Sequence, residues 1–433
     1  MEVIGILCLF GILFGLLLLK VPVSYSVGIA TACTLLLFMP TLPALTTITQ
    51  QMATGMDSFA LLAIPFFVLA GDIMNRGGIA NRLISFSKSL VGSFPGGLLY
   101  VNIISAAFFG AVSGSAAASA SAIGGVLTPR MEAEKYPKPF TTALNITSST
   151  VGLIIPPSNI LIIYALASGG TASVEALFLA GYIPGILLAF AFILWAGGIA
   201  VKNNYPREPR VSFAQVWSDF KGALLSILMI IVVVGGIVFG VFTATEGAVV
   251  AVLYALILSL FYKELKWEDL PSVMLTSIRT IALILFLICT SMALSWLFAY
   301  VRVPELISEL MLTYFHNAST VLLAINITLL IVGTFMDMTP AVLIFTPIFL
   351  PIVSQLGIHP VHFGIIMVLN LCIGLCTPPV GTLLFIGSGI ANISVGKVIR
   401  PLLPLLAVMF VVLLLVTYFE DISLFLPGVF EAL

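Results

Sequence analysis

Two apolar stretches of this chain are interrupted by paired prolines that have hydroxyl and amide side chains beside them. The first interruption covers Pro156–Asn159 and the second covers Thr377–Thr382, and Pro156 and Pro378 are 222 residues apart. Proline lacks a backbone N–H donor and clashes with the preceding turn, so neither stretch can form one continuous helix. In a bilayer, such a break is tolerated only where protein or a water-filled cavity satisfies the freed backbone groups. Two breaks at matching positions predict the binding site of a transporter.

Two other long apolar stretches carry small and polar residues at their centres, at Gly110–Ser121 and at Gly333–Pro340. We interpret each as a re-entrant hairpin whose tip meets the two breaks, although small residues also serve close helix packing. Interrupted helices present free N–H groups that suit a carboxylate, and unwound carbonyls that suit Na⁺. The side-chain oxygens expected at this meeting point belong to Ser113, Ser115, Ser158, Asn159, Thr339, Thr377 and Thr382.

Asp337 is the one carboxylate that this interpretation assigns to a hairpin tip inside the membrane. An ionised group there is costly and indicates a functional site by default. It would help to hold a cation or accept hydrogen bonds from substrate hydroxyls; the alternative is that it caps the second helix of the hairpin. Asp57, Asp72 and Glu246 lie nearer the ends of spans, where structural or interfacial roles are expected.

The composition predicts an all-α polytopic membrane protein, since the chain is 61% hydrophobic and 8% charged, with a mean hydropathy of +1.22. No nucleotide-binding loop, metal motif or nucleic-acid patch occurs in the sequence, so we expect coupling to an ion gradient. An intramembrane enzyme is a remote alternative. Gly110–Gly114 differs by one residue from a Gly-x-Ser-Gly protease motif, and every histidine lies near a loop.

The distribution of basic residues predicts the topology. If the N-terminus is periplasmic, 16 of the 17 Lys and Arg residues fall on the cytoplasmic side, and Arg302 is the exception. This result requires the first hairpin to open inward and the second outward. The chain is therefore expected to contain two inverted-topology repeats, each with a re-entrant hairpin and a Pro-Pro-broken helix.

The expected membrane spans alternate with interfacial segments. The first span ends near Leu19, the second covers Val23–Leu45, a polar link follows, and a third span ends near Met74. Three amphipathic helices are expected to lie at the interface. They cover Asn75–Lys88, Ser212–Lys221 and a segment from Lys266 to Arg279. Later spans are expected at 223–241, 248–262, 281–300 and 402–418.

These elements divide the chain into five regions. Scaffold helices and an interfacial arm helix are expected in 1–94, and further scaffold and arm helices in 171–280. The first hairpin and broken helix, in 95–170, form one part of a transport domain. A helix, the second hairpin and the second broken helix, in 281–396, form the other part. A C-terminal helix occupies 397–433.

Five motifs in order resemble the large membrane subunit of a TRAP (tripartite ATP-independent periplasmic) transporter, and the resemblance covers essentially the whole chain. The motifs are Asp57–Gly71, Ser113–Ser115, Ile155–Ser158, Met336–Pro340 and Gly374–Gly381. The resemblance implies a bacterial inner-membrane importer of organic anions, driven by two or more Na⁺ ions, with an elevator-like mobile domain. It also implies two partners: a periplasmic substrate-binding protein and a small four-helix membrane subunit. The latter is expected as a separate chain because the first span follows Met1 directly.

The resemblance also implies the site residues. Substrate contacts are expected from Ser113, Ser115, Asn159, Ser295, Asp337 and Thr339. Na⁺ contacts are expected from Ser113, Gly114, Ser115, Pro156, Ser158, Asn159, Gly333, Asp337, Thr339, Thr377, Gly381 and Thr382.

Two residues bear on the substrate class. Asn159 after Pro-Pro-Ser favours a sialic or sugar acid over a C4-dicarboxylate, because a dicarboxylate-type sequence often has an aliphatic residue there. Asp337 also suits a polyhydroxylated substrate better than a second carboxylate. The main alternative is an ion-coupled anion transporter of related fold that needs no binding protein.

Overall fold

The computed structural model describes residues 2–209, 211–315, 317–378 and 380–433. Within these residues the protein is all α-helical, with short 3₁₀ turns and no β-strand, which confirms the predicted fold class. Pro379, Arg210 and His316, which the sequence interpretation used, lie outside the described residues.

The first half of the chain forms eleven α-helices among the described residues. The helices up to the first hairpin are α1 (Glu2–Leu18), α2 (Val23–Phe38), α3 (Thr41–Met56), α4 (Ala63–Arg76) and α5 (Ile79–Val91). The hairpin, the broken element and the helix after it are α6 (Gly97–Ser113), α7 (Ala116–Ala133), α8 (Lys138–Ser148), α9 (Val151–Ile154), α10 (Asn159–Ala167) and α11 (Val174–Lys202).

The second half contributes ten more α-helices. Those up to the second hairpin are α12 (Phe213–Val238), α13 (Ala244–Phe261), α14 (Leu270–Tyr300) and α15 (Val303–Tyr314). The remainder are α16 (Ala318–Phe335), α17 (Met338–Gln355), α18 (Pro360–Cys376), α19 (Thr382–Ile390), α20 (Val395–Tyr418) and α21 (Asp421–Val429).

Several helices are long enough to cross a bilayer. Among the described residues, seven have the length and apolar composition for a span, or eight if the bent pair of 138–154 and 159–167 counts as one. That pair bends by 53° at its break. The bend occurs where the proline pair removes backbone donors, as the sequence predicts.

Helices α6 and α7 fold back on each other as a hairpin. The Ser119 hydroxyl donates to the Ala106 carbonyl at 3.2 Å, although 13 residues separate them. A straight helix would keep these residues about 20 Å apart at 1.5 Å per residue. The reversal occurs at Gly114, whose φ of 61° is a left-handed conformation that glycine adopts without steric cost.

The two broken elements lie side by side and run in opposite directions. The Cys372 and Cys376 thiols of α18 approach the carbonyls of Thr150 and Ile146, both at 3.8 Å. Further along, the Tyr164 hydroxyl donates to the Pro360 carbonyl at 2.7 Å. Rising numbers on one element therefore meet falling numbers on the other, which is an antiparallel arrangement.

Serine and threonine caps begin several of these helices. Ser173 and Ser212 accept hydrogen bonds from backbone amides in the first turns of α11 and α12. At α13, Thr243 and Glu246 form a reciprocal capping box. Glu246 therefore has the structural role that was expected for it.

Three helix boundaries differ from the sequence expectation. The predicted second span of Val23–Leu45 ends at Phe38, because Pro40 keeps Met39 in an extended conformation. The separate helix α3 then begins at Thr41 and includes the expected polar link. The expected interfacial segment of Ser212–Lys221 is the first part of α12. The segment reaching Arg279 is likewise the first part of α14.

In α12 and α14 no proline or loop separates the amphipathic part from the apolar part, so the helix hydrogen bonds continue through both. The expected domain boundary between residues 280 and 281 consequently falls inside α14. Helices α15 and α21 were not expected from the sequence, whereas α5 corresponds to the predicted first interfacial helix.

Candidate functional site

A cavity of about 280 Å³ lies where both hairpin tips and both breaks meet. Seven of the predicted site residues line it: Ser113, Gly114, Ser115, Asn159, Asp337, Thr339 and Thr382. The elements that position them are remote in sequence but adjacent in space.

Four helices begin at this cavity. The first turns of α7, α10, α17 and α19 supply Ala116, Ile160, Met338 and Leu383 to its wall. The N-terminus of a helix carries free N–H groups and a partial positive charge of about half an elementary charge. The cavity therefore offers several fixed, positively polarised groups to an anion.

Helix C-termini also reach the cavity. Ser113 is the last residue of α6, and Leu375 lies in the last turn of α18. The last carbonyls of a helix have no intrahelical partner, and they carry partial negative charge. The same cavity can therefore offer oxygen ligands to a hard cation beside its anion-attracting groups.

The first hairpin tip is held by its own hydroxyl groups. Ser115 precedes α7 and accepts a hydrogen bond from the Ala118 amide at 3.2 Å. The Ser113 hydroxyl lies 3.4 Å from the Ser115 backbone nitrogen. A Cβ at Gly114 would lie 2.9 Å from Nδ2 of Asn159, so the tip contacts the first break directly.

The first break uses one of the predicted ligands to satisfy the backbone. Ser158 is fully buried, and its hydroxyl donates to the Leu153 carbonyl. The Pro156-Pro157 peptide bond is cis. Neither Pro156 nor Ser158 lines the cavity, whereas Asn159, the first residue of α10, does.

The second break follows the same pattern. The Thr377 hydroxyl donates to the Ile373 carbonyl at 2.7 Å, and Gly381 has a φ of 26°. A Cβ at Gly381 would lie 2.9 Å from the Thr377 carbonyl oxygen. Thr377 and Gly381 shape the break but do not line the cavity, and Thr382 at the start of α19 does.

Asp337 precedes α17 and is exposed to the cavity. It occupies the N-cap position, but its side chain makes no capping hydrogen bond. The carboxylate lies beside the Thr382 hydroxyl of the second break. The capping alternative therefore describes its position, and its carboxylate lies near the Met338 amide as well as the Thr382 hydroxyl.

Each hairpin is attached to its own broken element by an asparagine pair and a glycine contact, which we call a clamp. In the first clamp, Asn102 donates to Asn145 at 3.1 Å and accepts from the Ser148 hydroxyl at 2.7 Å. A Cβ at Gly110 would lie 2.8 Å from the Gly152 Cα. The two backbones are therefore in direct contact below the tip.

The second clamp repeats this arrangement. Asn370 donates to Asn326 at 2.7 Å, and Asn326 donates to the Thr417 hydroxyl at 3.1 Å. A Cβ at Gly333 would lie 3.1 Å from the Gly374 Cα. Gly333 thus packs against the broken element and does not line the cavity. Asn102 and Asn326 were not singled out in the sequence, and their only signal was an amide inside an apolar run.

Two further predictions change with the structure. Ser295 does not line the cavity, since α14 reaches it at Thr280 and Ile284, and Ser295 lies about 17 Å beyond Ile284 along the helix. Asp72, expected to be structural or interfacial, does line the cavity. The described residues contain no group of three or more His, Cys, Asp or Glu side chains arranged to hold a metal ion.

The chain resembles known transporters over nearly its full length. Residues 10–422 match the family described as "Tripartite ATP-independent periplasmic transporter, DctM component". An uncharacterised Salmonella typhimurium protein, YgiK, is 50% identical, and the alignment covers 98% of each chain.

Two relatives whose names state a substrate are about equally similar to this chain. The Rhodobacter capsulatus C4-dicarboxylate TRAP transporter large permease protein DctM is 39% identical over 98% of each chain. The Vibrio cholerae sialic acid TRAP transporter large permease protein SiaM is 38% identical over 96% of this chain and 97% of its own.

The fold has a solved counterpart in the YdaH transporter of Alcanivorax borkumensis, with a TM-score of 0.63 at 13% sequence identity. The match covers 88% of this chain and 89% of that one. The family match, the relatives and the spanning helices together show that this chain belongs to the DctM component of the tripartite ATP-independent periplasmic transporters, the multi-pass large permease of a secondary transporter of organic acids in the inner membrane.

Proposed function

We propose that this permease imports an organic carboxylate across the bacterial inner membrane together with two or more Na⁺ ions. One observation carries the proposal: four helix N-termini and two helix C-termini meet at one cavity that also contains a carboxylate, Asp337. Such a site offers complementary groups to an anion and a cation at once.

The Na⁺ ligands of the proposal come from the tip and break residues that face the cavity. Hydroxyl oxygens of Ser113, Ser115, Thr339 and Thr382, with helix-end carbonyls, are the hard ligands that such an ion requires. Asp337 adds a negative charge beside Thr382. A bound cation would offset this charge and so favour the entry of an anionic substrate.

Sialic acid or a related sugar acid is the favoured substrate within the proposal. Asn159 and Asp337 both face the cavity, and an amide and a carboxylate can pair with substrate hydroxyls. The relatives of stated substrate transport either C4-dicarboxylates or sialic acid, so their names support an organic acid without choosing between these classes.

The proposal includes two partners, a small membrane subunit and a periplasmic binding protein that delivers the substrate.

It also includes an elevator movement of the two hairpins and the two broken elements against the remaining helices. The clamps join each hairpin to its own broken element, which supports a movement of those two parts together. We assign α14 to the remaining helices, because it packs against α2, α3 and α4.

Reconstitution in proteoliposomes tests the proposal. The permease, its small subunit and its binding protein should take up N-acetylneuraminate or another organic acid only when an inward Na⁺ gradient is imposed. Uptake that is unchanged when K⁺ replaces Na⁺ would refute the coupling. Full Na⁺-driven uptake without the binding protein would instead favour the self-sufficient transporter.

A further inference from the structure

A second carboxylate faces the cavity from helices outside the hairpins and breaks. Val68, Gly71 and Asp72 of α4 all line the wall, and their spacing of three and four residues puts them on one face of that helix. On α14, Thr280 and Ile284 extend the same wall. Asp72 is therefore part of the cavity wall that α4 and α14 contribute.

Helix α4 lies directly against the first hairpin tip. A Cβ at Gly71 would lie only 2.6 Å from the Ser113 carbonyl oxygen, so only glycine permits this approach. Asp72, the next residue, is thereby held close to the tip.

Asp72 accepts a hydrogen bond from a neighbouring hydroxyl group. The buried Ser277 hydroxyl of α14 donates to Oδ2 of Asp72 at 2.6 Å. One hydrogen bond occupies only part of the acceptor capacity of a carboxylate, which offers about four lone-pair sites. Asp72 is half-buried, so its remaining acceptor sites are available at the cavity wall.

Among the described residues, the ionisable side chains that line the cavity are all acidic. Among the described lining residues, the ionisable side chains are Asp72 and Asp337, and no Lys, Arg or His side chain is present. A substrate with one carboxylate can direct it to the helix N-termini. A second carboxylate at the α4 wall would meet a like charge, whereas a hydroxyl group there would find an acceptor.

We propose that Asp72 is a specificity-determining residue that accepts hydrogen bonds from substrate hydroxyls and disfavours a second carboxylate, which makes the preferred substrates hydroxylated monocarboxylates. This inference rests on the proposed function, since it assumes that the cavity binds an organic acid. It assigns to α4 a part in substrate choice that complements the tips and breaks.

Direct binding to the purified permease with its small subunit, in Na⁺ buffer, tests the inference without a binding protein. The probes are N-acetylneuraminate and 2,3-diketo-L-gulonate, as hydroxylated acids, and succinate, as a dicarboxylate. The wild type should bind one of the hydroxylated acids more tightly than succinate. In Asp72→Asn, the ratio of the succinate Kd to the hydroxylated-acid Kd should fall about tenfold, because a charge-assisted hydrogen bond is lost and the like-charge repulsion is removed.

Three variants separate charge from structure. Asp72→Glu retains the charge and should keep the preference for hydroxylated acids. Ser277→Ala removes the hydrogen bond from α14 to Asp72 but keeps the carboxylate, so the ratio should stay within threefold of the wild type. Asp57→Asn removes an exposed charge that does not line the cavity and should change nothing. If Asp72→Asn does not fold, Asp72→Ser removes the charge while keeping a hydroxyl group for Ser277.

The outcomes are distinct. A wild type that prefers succinate overturns the inference, as does a less than threefold change of the ratio in the folded Asp72 variant. An equal change in Ser277→Ala would assign the effect to the helix contact and also overturn it. If the wild type binds none of these acids in Na⁺, the failure belongs to the proposed function itself.

Discussion

At the residue scale, the site is built from groups that combine a backbone role with an exposed polar atom. Gly114 is the clearest case, because its left-handed φ of 61° turns the first hairpin and its missing side chain admits Asn159. Ser158 and Thr377, in contrast, have only a backbone role. Their hydroxyls donate to carbonyls that the breaks leave free, and neighbouring residues face the cavity instead.

Gly114→Ala should weaken the site by straining the tip. An L-residue in the left-handed region costs about 1–2 kcal/mol, and the new methyl group would also press on Asn159. We expect the Na⁺ concentration that half-saturates thermal stabilisation of the protein to rise about tenfold.

Gly125→Ala is the matched control, because Gly125 lies within α7 and a Cβ there meets nothing within 4 Å. Equal Na⁺ dependence in both alanine variants would remove the tip from the cation site.

Asp337→Asn should reduce Na⁺-driven uptake about ten- to hundredfold while the protein remains folded. The substitution keeps the size of the side chain but removes the charge beside Thr382, and contacts to charged groups are worth about 1.5–3 kcal/mol. The measurements are initial uptake rates at several Na⁺ concentrations and a melting curve. Near-normal uptake with unchanged Na⁺ dependence would exclude Asp337 from the site.

At the element scale, the two clamps explain how remote segments keep a common geometry. Both pair an asparagine of a hairpin's first helix with an asparagine of the broken element, and both have a glycine contact nearer the tip. In an apolar environment an amide without a partner is costly, so each pair also favours one register of its two helices. The clamps thereby position the tips relative to the breaks.

Substituting one member of a clamp should destabilise the protein more than substituting both. Asn102→Leu leaves the Asn145 side-chain oxygen without its donor and the Ser148 hydroxyl without this acceptor, at a cost of about 1–3 kcal/mol, whereas adding Asn145→Leu removes the first of these two unpaired groups. The melting temperatures of the two single variants and the double variant form a mutant cycle. Asn203→Ala, at an exposed helix end, is the control. Strictly additive effects would show that the two amides are not coupled.

At the scale of the whole molecule, the two broken elements run in opposite directions, and the inverted topology stays a prediction from the basic residues. The antiparallel packing of α18 against α8–α10 is a property of the structure. The side of the membrane on which each loop lies remains a prediction from the charge distribution.

Cysteine labelling tests that orientation. Lys135→Cys should resist a membrane-impermeant maleimide added from the periplasm, and Arg302→Cys should react with it. The two sites are well matched, since both are exposed basic residues with left-handed backbone conformations, at φ 63° and 54°. The native cysteines are replaced first. Ready labelling of residue 135 from outside would overturn the predicted topology of the first hairpin.

The amino-acid sequence by itself determined the class of protein, the helix breaks and part of the candidate site. Proline pairs interrupt helices wherever they occur, and apolar length predicts a span without reference to any neighbour. The sequence also located seven residues that line one cavity, because polar atoms in apolar segments are rare enough to be informative.

Only the tertiary structure decided which of these residues face the cavity and what lies opposite them. Asp72 and Ser295 show the limit, because the contact of α4 and α14 with the tips depends on packing between distant elements. The sequence also did not predict that α12 and α14 are continuous. Charged and apolar turns form the same backbone hydrogen bonds, so a change in composition does not mark a helix end. Residue type determines what a group can do, and packing determines what it meets.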